Sequence, residues 1–67
     1  MTVTINGESR DFAGDSLALE ALLEELDLAG RPVVIEHNLE PVLPDAYAGV
    51  TLRDGDRIEI VRIAAGG

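Results

Sequence analysis

Thr2-Val3-Thr4-Ile5-Asn6-Gly7-Glu8-Ser9-Arg10-Asp11-Phe12, followed shortly by Leu19, Leu22, Leu23 and Leu26, decides the fold of this chain. Thr2 to Ile5 alternate polar and apolar side chains, as a strand with one buried face requires. Asn6-Gly7 is the strongest short hairpin signal, because both residues tolerate the positive φ of a type I′ turn. Glu8 to Phe12 then read as the returning strand. Ala13-Gly14-Asp15-Ser16 reads as a loop ending in a helix cap, with Asp15 or Ser16 placed to accept the first free amide hydrogens, and a helix is predicted to follow at once. Leu19, Leu22, Leu23 and Leu26 fall at the i, i+3, i+4, i+7 spacing of one helical face, while Glu20, Glu24 and Asp27 collect on the other side. Gly30 reads as the C-terminal cap, and Pro32 opposes continuation.

Beyond the helix, Val33-Val34-Ile35-Glu36-His37 is β-branched and apolar, which suits a strand. Asn38-Leu39-Glu40-Pro41 reads as a turn and Val42-Leu43 as a short strand confined by prolines to an edge. Pro44 to Gly49 resemble a single helical turn, with Tyr47 over one end of the core. Asp54-Gly55 marks a tight turn before the last strand, Arg57 to Ile63. A hairpin, a helical crossover and later strands suit a mixed sheet packed on one helix, with a later strand parallel to the first. That order describes an α+β, β-grasp domain with four to five strands. Its core would set Val3, Ile5, Ile35, Ile58 and Ile60 against the helix leucines. The other parity of the sheet carries Val34, Val61 and Ile63, for which no second helix exists, so an exposed apolar patch is expected there.

With 67 residues, one domain spanning 1–67 is expected. Aromatic residues are only 3% of the chain, so the core must be aliphatic. The absence of cysteine removes disulfides, thiolate metal sites and thiol catalysis. The acidic stripe of the helix lacks the histidine or cysteine company that would make it a metal site and reads as a solvated face. His37 is the one histidine, which leaves little for an independent enzyme. A net charge of −8, from thirteen acids against five arginines, disfavours nucleic acid and anionic membranes as partners and favours a basic protein surface. No apolar run reaches the length needed to span a bilayer, and Met1-Thr2-Val3-Thr4 has no signal-peptide character, so the cytoplasm is the expected location.

The chain closes with Ala64-Ala65-Gly66-Gly67, directly after the last predicted strand. Glycine carries no Cβ, so such an end can enter a narrow channel and leave its carbonyl open to attack from either face. A flexible tail over 64–67 is expected, with Gly67 as the group to be modified.

Asn6-Gly7, Val33 to Asn38, Leu52-Arg53-Asp54-Gly55-Asp56-Arg57-Ile58-Glu59-Ile60-Val61 and the ending Gly66-Gly67 together resemble the sulfur carrier family of thiamine biosynthesis, the ThiS family. The resemblance spans nearly the whole chain. It implies a ubiquitin-like β-grasp fold whose Gly67 carboxylate is adenylated by an ATP-dependent, E1-like enzyme and converted to a thiocarboxylate. In that family the carrier is a protein co-substrate without a cofactor of its own; ATP belongs to the activating enzyme. A persulfide-bearing partner would give the sulfur, and thiazole synthase would receive it. Carried over by position, Gly67 is the loaded residue, while Ala64, Ala65 and Gly66 thread into partner active sites; the patch of Val34, Val61 and Ile63 read from strand parity would be a natural docking surface beside them. Leu43 and Pro44 stand where the pattern sets an arginine, and Tyr47 where it often sets tryptophan. The small subunit of molybdopterin synthase is the nearest alternative, with carriers of other sulfur pathways behind it; a non-covalent interaction module is the alternative of another class.

Overall fold

The computed structural model describes residues 1–63. Strands β1 (Thr2–Ile5) and β2 (Glu8–Asp11) form the opening hairpin, followed by β3 (Ser16–Ala18) and the helix α1 (Leu19–Glu25). Then come β4 (Val33–His37), β5 (Glu40–Val42), a 3₁₀ segment (Pro44–Gly49), β6 (Thr51–Arg53) and β7 (Arg57–Arg62). The main sheet has five strands in the order β2-β1-β7-β4-β5 and meets the four- to five-strand expectation for a β-grasp. β1 runs parallel to β7, with Thr4 opposite Arg57 and Ile5 opposite Ile58, as the crossover requires. The other neighbours in this sheet are antiparallel.

Asn6 and Gly7 have φ of 50° and 85°, the left-handed geometry of a type I′ turn. The Asn6 side chain does more than tolerate that turn. Its Oδ1 accepts from the Ile60 amide at 2.7 Å, and its Nδ2 donates to the Ile60 carbonyl at 3.0 Å. A side-chain amide thereby stands in for a strand residue and satisfies β7 after β1 has turned away. The Asn38 backbone amide donates to the Arg57 carbonyl, and its Oδ1 accepts from the Arg57 amide, both at 2.8 Å. Both turn asparagines are thus bonded to the central strand.

Four local expectations are corrected. Ser16–Ala18 is a strand paired antiparallel with β6, not the start of a helix. α1 begins at Leu19 after Ala18, without a side-chain cap at Asp15 or Ser16; the Leu19 amide instead donates to the Val50 carbonyl at 3.0 Å. Pairing with a distant strand displaces the local cap. The helix ends at Glu25, well before Gly30, because Asp27 takes a positive φ of 60°. The Asp27 amide then bonds the Glu24 carbonyl at 3.0 Å and the Leu28 amide the Leu23 carbonyl at 2.7 Å, the two bonds of a Schellman ending. The turn after β4 is shorter than expected, so that β5 starts at Glu40 and excludes Leu43.

Val3, Ile5, Leu19, Leu22, Leu23, Val33, Ile35, Leu52, Ile58 and Ile60 form the core. Leu26 is only partly buried, since it sits on the cap rather than within the helix. Leu52, on the small sheet, takes a fully buried place that periodicity did not assign. Tyr47 packs against the edge of this core as expected.

At the start of β7, the His37 Nε2 and Asp56 Oδ2 share a hydrogen bond of 2.8 Å; Asp56 also accepts from the Arg53 amide at 3.0 Å and from Asn38 Nδ2 at 3.2 Å. Burial is the largest single influence on the Asp56 carboxyl and pushes its pKa up. The hydrogen bonds from His37, Arg53 and Asn38, with the charge of His37, outweigh it and hold the pKa below the ordinary value. A carboxylate of depressed folded pKa contributes stability in full above its unfolded pKa of about 3.9 and loses it as pH falls through the folded value.

Two outcomes are expected. The melting-temperature difference between the parent and Asp56→Asn should be largest near neutral pH and shrink as thermal unfolding is repeated toward about pH 3. Leu39 occupies the left-handed region at φ 72° and is exposed. Leu39→Gly should therefore raise stability by about 0.5–1 kcal/mol in denaturant unfolding, the left-handed penalty partly offset by the entropy of glycine.

Candidate functional site

β7 determines where the C-terminal end of the described chain emerges. On one side it pairs with β4 as far as Val33 opposite Arg62, and the Ile63 amide extends that ladder by donating to the Pro32 carbonyl at 2.9 Å. On the other side, the β1 ladder runs only to Ile58, after which the Asn6 side chain covers Ile60. β7 thus outlasts β1, and among the described residues its last two positions are anchored through β4 and the loop before it. Ala64, Ala65, Gly66 and Gly67, the residues assigned to modification and threading, lie outside the described residues.

Of the predicted patch, Val34 and Val61 are direct cross-strand neighbours on the face turned away from the helix. They are 50% and 61% exposed, and Ile63, two positions along the same parity, is 51% exposed. This is an apolar strip at the tail end of the sheet. Glu36 and Glu59 oppose each other one pair further along the same face. Like charges in direct cross-strand opposition cost stability in the isolated protein. An apolar strip beside two unneutralised carboxylates suits a partner with an apolar contact and basic flanks.

His37 is at the far end of β7 from the tail, opposite Ile58 in register. That places it about 17 Å from Ile63 along the strand at about 3.3 Å per residue. Its hydrogen bond to Asp56 makes it part of the scaffold around the β6–β7 turn. Among the described residues no group of three histidine or acidic side chains is arranged to hold a metal ion. No described helix is long and apolar enough to cross a membrane.

Sequence reasoning missed the stitching role of Asn6. The Asn-Gly dipeptide signals a turn, but which strand the amide then bonds depends on a residue 54 positions away.

The ThiS family model matches residues 3–67, a span that includes the closing glycines. A thiazole synthase of Paramagnetospirillum magneticum is 48% identical over 67 residues; the match takes in all of this chain, which spans one fifth (20%) of that protein's length. The sulfur carrier protein ThiS of Bacillus subtilis is 33% identical over 63 residues, covering 94% of this chain and 96% of that protein. The crystal structure of the thiamine biosynthesis protein ThiS from Geobacter metallireducens superimposes with a TM-score of 0.85 at 32% identity, over the whole of both chains. A solution structure of a thiamine biosynthesis protein from the same organism gives 0.80 at 33% identity, covering this whole chain and 88% of that one. With a ubiquitin-like fold of the same topology and a family match running through the last residue, the chain belongs to the ThiS family.

Proposed function

We propose that this chain is a sulfur carrier whose Gly67 carboxylate, where Gly67 ends the polypeptide, is adenylated and converted to a thiocarboxylate that supplies sulfur for thiazole formation in thiamine biosynthesis. The observation that carries this reading is the family match through residue 67, which includes the Gly66-Gly67 end within the related region. The similarity to a thiazole synthase along the whole of this chain favours the thiamine pathway over the other sulfur pathways that use this fold.

The chemistry follows from the carboxyl group. A terminal carboxylate, with a pKa of about 3.5, is ionised at neutral pH and resists nucleophiles. Attack of its oxygen on the α-phosphate of ATP releases pyrophosphate and makes a mixed anhydride with AMP. A persulfide sulfur then adds to the carbonyl and AMP departs. Cleavage of the resulting S–S bond by a thiol leaves the thiocarboxylate. An E1-like enzyme would supply the ATP site, a persulfide-bearing protein the sulfur, and thiazole synthase would accept it.

The chain acts in this scheme as a protein co-substrate in the cytoplasm, with no cofactor of its own. Gly66, Ala65 and Ala64 thread the end into partner active sites, where side-chain bulk would obstruct attack. The strip of Val34, Val61 and Ile63 seats the partner at the base of that thread, so binding energy on the sheet positions the carboxylate.

Incubation with the cognate activating enzyme, ATP and a persulfide donor should replace one terminal oxygen by sulfur in the intact mass. Deletion of Gly67 should abolish this while the melting temperature stays unchanged; persistent loading would refute the assignment. Val61→Asp should raise the KM of the activating enzyme for this chain about tenfold, as expected for an interface side chain worth about 1–2 kcal/mol. His37→Gln should leave loading rates within about twofold, because the ring lies at the opposite end of β7 and its loss acts on stability.

A further inference from the structure

On the other side of Ile63 from the sheet's open face, a groove of about 640 Å³ runs between α1, the loop after it and the 3₁₀ segment. Its floor includes Leu23, Leu28, Pro32, Val33 and Tyr47, and Glu20 and Glu24 stand on its rim. Three observations bear on what could occupy it. The floor is mainly apolar and the groove is open, too large for one side chain and short of the convergent polar groups that orient a small molecule. Its other rim charge, Arg31, is already engaged: Nη2 lies 3.8 Å from the Asp27 carboxylate, and Nε donates to the Asp27 carbonyl at 3.1 Å. Glu20 and Glu24 are left without an ion-pair partner among the described residues. They sit four apart on α1, where like charges repel and weaken a helix.

We infer that this groove is a docking site for a partner-protein segment in which an apolar anchor is flanked by arginine or lysine. The anchor would cover the Leu23, Leu28 and Val33 floor, and the flanking cations would relieve the Glu20–Glu24 repulsion. The site faces away from the Val34–Val61 strip, since Val33 and Val34 point to opposite sides of β4. Both surfaces meet at Ile63, so a partner occupying the groove touches the base of the tail. This interaction does not depend on whether Gly67 is activated.

The repulsion gives a test whose two readouts move in opposite directions. The probe is a capped peptide with a central leucine between arginines, titrated into the isotope-labelled chain at low salt and followed through methyl resonances. Shifts are expected at Leu23, Leu28 and Val33; any at Val34 and Val61 report the outer strip, whose Glu36 and Glu59 suit the same probe. The double variant Glu20→Gln/Glu24→Gln should weaken binding at the groove at least about tenfold, while Glu24→Gln alone, which relieves the repulsion and keeps the first-turn acid Glu20, should weaken binding and raise the melting temperature of the free chain. A residue pair with only a structural role would not lose binding as stability rises. The assignment is overturned if the peptide fails to bind, if its shifts fall on Val34 and Val61 alone, if a glutamate-flanked peptide shifts Leu23, Leu28 and Val33 equally, or if the double variant leaves binding at those three residues unchanged. None of these results touches sulfur loading, which the intact-mass assay reads separately.

Discussion

Everything in this fold depends on seating the last strand between β1 and β4. β7 carries Ile58 and Ile60 into the core, and its two flanks bond to strands from the beginning and the middle of the sequence. A central strand leaves no backbone group free for water, so each amide and carbonyl on it must find a partner. β1 is too short to supply them all. The Asn6 side chain meets the shortfall at Ile60, and on the other flank Asn38 continues the β4 ladder to Arg57. Two turn residues therefore act as extensions of the strands they terminate.

That arrangement explains the asymmetry of the sheet. Its inner face closes over an aliphatic core with helix α1, and no buried polar or charged residue is found among the described residues. The outer face has no covering layer, and Val34, Val61 and Ile63 remain open to solvent at the end from which the chain leaves. The charge of −8 is compatible with a protein that presents apolar contacts yet stays apart from its own copies. Repulsion between copies opposes self-association, whereas a basic partner is attracted.

Sequence periodicity carried most of this architecture. The alternation in Thr2–Ile5 and the parity of Val34, Val61 and Ile63 gave each side chain its face, because a strand with one buried side has little freedom of register. The missed features have two causes. Ser16–Ala18 became a strand because Thr51–Arg53 was available to pair with it, and Leu52 became core through the same pairing. The helix ended early because Asp27 accepted a left-handed conformation that glycine usually takes. Each outcome was set by a competitor distant in sequence or by a local exception to propensity. Of the candidate site, the part within the described residues, the strip of Val34, Val61 and Ile63, was legible through strand parity.

The position of β7 in the sheet also bears on how the molecule is made. Its neighbours come from the first and middle parts of the chain, so the sheet cannot be completed on the ribosome until synthesis has reached the final strand. Before that, β1 and β4 each lack the strand that lies between them, and the loop closure between distant segments remains unpaid for by any native contact. A nascent chain halted short of residue 57 would expose two sticky edges and a core open where Ile58 and Ile60 belong, a substrate for quality-control proteases rather than for a sulfur pathway.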